Sequence, residues 1–176
     1  RKESSAASDV YKRQSAGGSQ SRDLDLKELC TEEQVFQYAD FEWGTDSEQL
    51  FKQSSLKFDE KDLGQGDESS TKTYESKEKF SLENAESNMD LEFSDGQLSQ
   101  GSFTFDIEQD ANTWIQKEVD ELNSLYGGGI ATGLGNQIYQ WQGEQDTVLQ
   151  LTAFTEGDES ATVILSVASM EYSIGS

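Results

Sequence analysis

An α+β fold is what this sequence predicts, built as two layers, an antiparallel sheet with two helices packed on one face. Three observations carry it. Residues 111–126 place apolar side chains at three- and four-residue spacing; residues 87–107 alternate apolar and polar about an Asp-Gly turn; and residues 137–168 hold further alternating runs. Strands joined by hairpins, interrupted by one strong helix, are the pattern of an antiparallel sheet covered by helices.

Taken in order, Ser15–Ser21 (SAGGSQS) is Gly- and Ser-rich, and residues 22–34 are charged with at most a short helix, so 15–34 read as a linker and a single domain is expected over 35–172. Val35, Tyr38, Phe41 and Trp43 could supply an edge segment entering a helix. Thr45-x-x-Glu48 and Asp46-x-x-Gln49 are overlapping capping boxes, in which side chains satisfy free amides at a helix start. They predict a helix over about 46–55 that buries Leu50 and Phe51. Residues 59–79 read as a loop with one weak strand around 71–77.

Met89, Leu91 and Phe93 alternate with Asn88, Asp90 and Glu92, and Asp95-Gly96 supplies the positive φ of a tight hairpin. Phe103, Phe105 and Ile107 return on one face; Leu98 has the wrong parity for it, which predicts a bulge at Gly101. The helix over 111–126 carries Ala111, Trp114, Ile115, Val119, Leu122, Leu125 and Tyr126 on its apolar side. Gln116, Lys117, Glu118, Asp120 and Glu121 take the wet side, Asp110 or Asn112 caps the start, and Gly127 ends it. Tyr139 and Trp141, then Leu149, Leu151 and Ala153, then Val163, Leu165 and Val167 form the remaining strands, the last two turning at 156–159.

Composition removes whole classes of function. Thirteen Lys and Arg stand against thirty-five Asp and Glu, a net charge of −22. A surface so acidic repels phosphate backbones and anionic lipid, which excludes nucleic acid as a partner. No segment has the apolar length of a membrane span. Cys30 is the only cysteine, so neither an intrachain disulfide nor a thiolate cluster can form, and a small hydrophobe is its expected role.

No catalytic, cofactor-binding or metal-binding residue is singled out. With no histidine at all, the commonest general base and metal ligand is missing. Glycosidase-like chemistry needs only two carboxylates at the right separation, but the acidic residues fall mainly at solvent positions. Gly127–Gly129 and Gly133-Leu134-Gly135 follow a helix and precede a strand, the reverse of a phosphate cradle. Asp67-Glu68 and Asp158-Glu159 offer hard oxygens to calcium without a complete ligand loop.

Phe41 to Leu50 (FEWGTDSEQL) resembles the SmpA/OmlA (BamE-like) outer-membrane assembly lipoprotein family and related beta-lactamase-inhibitor-like modules. Gly44, Asp46, Glu48, Gln49 and Leu50 match; Thr45 stands where that pattern has Met, and the closing Leu-Gly-x-Pro is absent. The stretch ending Leu125-Tyr126-Gly127, then Trp141 and two long strands, is similar to secreted proteins of Gram-positive gut bacteria, without their Pro. The resemblance implies a non-enzymatic two-layer module that contacts other proteins.

At the front, Ser4–Gln14 (SSAASDVYKRQ) resembles the in-frame translation of a transposon-type sequencing adapter, so residues 1–14 are expected to take no part in the fold and to stand in place of the native N-terminus. A lost leader with a lipid-attachment cysteine just ahead of Ser15 would explain the SAGGSQS tether; Cys30 is not that cysteine, since Lys27 and Glu28 sit where small apolar residues are required. The expectation is a secreted or lipid-anchored bacterial envelope protein that binds a protein, peptide or cell-wall component without a cofactor. A carboxylate-dependent hydrolase and an acidic cytosolic accessory protein are the alternatives.

Overall fold

The computed structural model describes residues 21–62, 70–132, 137–157 and 159–173. Among these, nine strands form one mixed sheet: β1 (Ser21–Asp23), β2 (Phe58–Glu60), β3 (Thr71–Leu82), β4 (Ala85–Ser94), β5 (Gln97–Ile107), β6 (Ile130–Thr132), β7 (Gln137–Gln142), β8 (Thr147–Glu156) and β9 (Ser160–Ser169). Three α-helices accompany it, α1 (Ser47–Gln53), α2 (Ala111–Tyr126) and α3 (Met170–Ser173), with a 3-10 turn at Leu26–Leu29. The class is α+β. The strand order is β1-β3-β4-β5-β9-β8-β7-β6, with β2 also on β3. All pairings are antiparallel except one: β1 lies parallel to β3, Arg22 opposite Phe80, so the sheet is not uniformly antiparallel. A parallel pair needs a long crossover, and the chain between these two strands, which includes α1, is long enough to provide it.

The central hairpin forms as its pattern dictates. Asp95 and Gly96 both take positive φ, 50° and 81°, between β4 and β5. The bulge is displaced from the expected Gly101 to Ser99. Phe93 pairs with Leu98 but Glu92 with Gln100, leaving Ser99 as the extra residue. Its buried hydroxyl donates to the Glu92 carbonyl and meets Ser94 Oγ at 3.1 Å, which satisfies the interrupted ladder. The weak strand expected around 71–77 is a twelve-residue β3 with a register shift between Glu75 and Lys79. There the hydroxyl of Ser76 accepts from the Met89 amide and donates to the Glu78 carbonyl.

The helix of the FEWGTDSEQL stretch starts where its cap predicts: the Asp46 carboxylate accepts from the Gln49 amide at 2.9 Å. Helix α2 spans the expected residues, but its start is made differently. Asp110 has φ 52° and no side-chain capping bond, and the Ala111 amide instead donates to the Glu159 carbonyl at 3.0 Å. Gly127 ends it at φ 88°, its amide donating to the Asn123 carbonyl.

Ile115, Val119 and Leu122 of α2 share one core with Phe93, Phe105, Leu151 and Leu165. Across the sheet Phe103 faces Leu165, Phe105 faces Val163, and Leu151 faces Leu165. Trp114, expected within this core, is only partly buried at its edge. Two further expectations are corrected. Residues 21–34 are no linker: Leu24, Leu26 and Leu29 are buried, and the Leu24 amide donates to the Ser81 carbonyl. Residues 35–43 form no strand beyond a single bridge from Phe36 to Cys30, yet Val35, Phe36, Tyr38 and Phe41 are buried. Their apolar spacing served burial rather than a ladder. The expectations for residues 1–14, Asp67-Glu68, Gly133–Gly135 and Asp158 fall outside the described residues.

Candidate functional site

Two sharp changes of direction at one end of the sheet frame a cleft. The β3–β4 turn is made by Glu83 and Asn84 alone, at φ 46° and 69°, a left-handed pair whose twist suits a two-residue hairpin. Nearby, β5 ends and Asp110 redirects the chain into α2. Between them lies a cleft of about 540 Å³, with Ala85, Ile107 and Trp114 among its lining.

Its polar rim is acidic. Glu83, Asp106, Glu108 and Asp110 are all exposed, and Lys117 is the one cation lining it. Trp114 is held in a fixed pose: its Nε1 donates to the Glu83 carbonyl at 3.2 Å, and its ring tilts against Phe105 at 5.7 Å between centroids. Lys117 Nζ donates to the Glu83 carboxylate at 2.7 Å, which holds its ammonium above the ordinary lysine range. Asp106 accepts from Thr162 Oγ1 at 3.1 Å. One cleft thus holds several exposed carboxylates and a positioned aromatic ring, groups that attract a cation.

Next to Lys117 on α2 stands Glu118. Its charge led to the expectation of the wet side, yet it is 1 % exposed, and neither carboxylate oxygen has a hydrogen-bond partner. Burial, then the nearby charges of Glu121 and Glu83, raise its pKa to about 7 against the opposing pull of Lys117. Its spacing was the available signal: Glu118 stands four residues after Trp114, three after Ile115 and four before Leu122, inside the apolar stripe, whereas Glu121, which stays exposed, falls beyond its edge.

A second cleft, about 440 Å³, brings together Lys27, Cys30, Phe36, Tyr126 and Gln142. Neither potential nucleophile in it is activated. Burial pushes the Cys30 thiol up, and the Tyr126 hydroxyl, also raised by burial, donates to the Leu26 carbonyl. A third polar group, Lys61 with Asp90 at 3.1 Å and Glu75 at 3.7 Å, is an ion-pair cluster beside β2. Among the described residues no three His, Cys, Asp or Glu side chains converge as metal ligands would.

Compared with known proteins, the chain matches no family model, no curated protein and no solved structure.

Proposed function

We propose that this chain is a non-enzymatic bacterial envelope protein, secreted or lipid-anchored, that binds a cationic segment of a protein or peptide partner in the Trp114 cleft. The reading takes the molecule as a two-layer module in which the helices pack on one face of the sheet. The observation that carries it is one cleft lined by Glu83, Asp106, Glu108 and Asp110 together with a Trp whose pose is fixed by a hydrogen bond. A Lys or Arg side chain entering there gains cation–π attraction of about 0.5–2 kcal/mol and the field of several carboxylates. The envelope placement rests on the BamE-like resemblance of Phe41–Leu50 and on the Gly/Ser tether at Ser15. A hydrolase is less well supported, because acid–base pairs depend on one carboxyl being kept neutral by burial, whereas the carboxylates of this cleft are all exposed.

Calorimetric titration with a short oligolysine peptide tests the binding. Saturable binding is expected, lost in Trp114→Ala and in the double variant Asp106→Asn with Asp110→Asn. It should be kept when the same charge is removed elsewhere, at Glu32→Gln with Glu144→Gln. Equal weakening by both charge-removal pairs would show attraction to net charge alone and overturn the cleft as the site. Release of reducing sugar from polysaccharide substrates, abolished by a single carboxylate substitution, would instead establish the hydrolase.

A further inference from the structure

Glu118 is an anomaly that the binding reading leaves unused: a carboxyl taken out of water with no hydrogen bond to either oxygen. A group in that position is normally paired, or neutral. Its surroundings connect it to the cleft. Trp114, Lys117 and Glu118 lie within little more than one turn of α2, and the first two both engage Glu83, Trp114 through the carbonyl and Lys117 through the carboxylate. Glu83 therefore lines the cleft, anchors its aromatic and acts electrostatically on Glu118. The charged groups acting on Glu118 are Glu121 and Lys117 from its own helix and Glu83 from the β3–β4 turn. Strands β8 and β9, on which α2 packs, turn Leu151, Ala153, Val163 and Leu165 into the core. The 3-10 turn, tied to the end of α2 through Tyr126, carries Lys27 and Glu28 outward, with Leu26 and Leu29 inward.

We propose that Glu118 is a proton-linked regulator of the cleft: it holds its proton more tightly while the cleft is empty and gives up part of it to solvent when a cationic segment binds beside Glu83. The inference rests on the binding reading above. Near neutral pH the carboxyl is poised between its two forms. A cation beside Glu83 cancels part of the negative field that favours the proton. By reciprocity, the ionised form holds the cation more tightly than the protonated form. Binding should strengthen as pH rises through neutrality, and acidification should release the partner.

Two measurements on the full chain separate this proposal from the binding reading. The first needs no ligand: carbon-13 NMR of the glutamate side-chain carboxyls, with Glu118 assigned by its loss in Glu118→Gln. A midpoint near neutrality is expected, lowered in Glu83→Gln and raised in Lys117→Met. A midpoint in the ordinary glutamate range, or one indifferent to both substitutions, overturns the proposal whatever the cleft binds. The second is titration with the oligolysine peptide at neutral pH in two buffers of different ionisation enthalpy. Wild type should release a fraction of a proton per peptide and bind several-fold more tightly at pH 8 than at pH 6. Glu118→Gln and Glu118→Met should release none and lose that pH dependence. Binding with the same proton release in all three proteins overturns the coupling and leaves the binding reading standing. No binding by any of them, with the NMR responses as expected, overturns the binding reading and the ligand half of the coupling, leaving Glu118 coupled to Glu83 alone.

Discussion

Glu118 lowers the stability of the folded chain wherever it must ionise. Its ordinary value is 4.5 and its folded value about 7, so between these the folded protein binds a proton that the unfolded chain does not. A raised carboxyl pKa makes stability greatest below pH 4.5 and reduces it as pH rises to 7. At about 1.36 kcal/mol per pH unit the loss from this group has an upper bound of roughly 3 kcal/mol, and relaxation that lets water reach the carboxyl reduces it. Glu118→Met should therefore raise the urea midpoint at pH 7.5 and leave it little changed at pH 4.5. An equal shift at both values would show that the carboxyl is not the titrating group. Trp114→Ala should cost about 2 kcal/mol, less than the 3–5 kcal/mol of a fully enclosed Trp, because part of this ring already faces solvent. Gly143→Ala should cost at least as much. A Cβ there would lie 2.7 Å from the Gln34 carbonyl oxygen and 2.7 Å from Phe36, and backbone cannot step aside as a flexible side chain would. Thermal denaturation of the two variants in one buffer ranks them.

Elements were legible in proportion to how local their cause is. The hairpin followed from Asp95-Gly96, the first helix from Asp46 and Gln49, and α2 from seven apolar residues at helical spacing, since each needs only neighbours in sequence. Gly96→Ala tests the turn: at φ 81° it should cost about 1–2 kcal/mol in a denaturant titration although a Cβ there meets nothing. What the sequence hid depends on distant partners. The start of α2 is closed by the Glu159 carbonyl rather than by Asp110, and the bulge sits at Ser99 because the hydroxyls of Ser94 and Ser99 are there to fill it. The cleft was illegible for the same reason. Glu83 and Trp114 are thirty-one residues apart, and only the fold lays the β3–β4 turn against α2. Burial of Glu118, by contrast, follows from its place on the helical wheel, between Trp114 and Ile115 on one side and Leu122 on the other; its charge, not its spacing, is what pointed to water.

The whole molecule depends on a segment that composition alone would discard. Residues 24–29 look like charged linker, yet Leu24, Leu26 and Leu29 are 5 %, 2 % and 1 % exposed. β1 adds a parallel edge to β3, the Tyr126 hydroxyl donates to the Leu26 carbonyl, and Phe36 meets Tyr126 edge-on at 5.2 Å between centroids. Burying three leucines contributes about 1.5–3 kcal/mol each, a total comparable to the 5–15 kcal/mol by which domains are stable. Deleting residues 1–34 should therefore abolish cooperative unfolding, with exposed core and aggregation in place of a thermal transition. Deleting residues 1–14 should leave the melting temperature unchanged, because their only sizeable apolar groups are Val10 and Tyr11, too little to offset the roughly 1–2 kcal/mol per residue of ordering the backbone. The two truncations bracket the start of the domain. If the shorter deletion lowers the melting temperature by several degrees, residues 1–14 belong to the fold and their adapter-like reading fails. If the longer one still melts cooperatively near the full-length temperature, the packing of Leu24, Leu26 and Leu29 contributes far less than their burial implies.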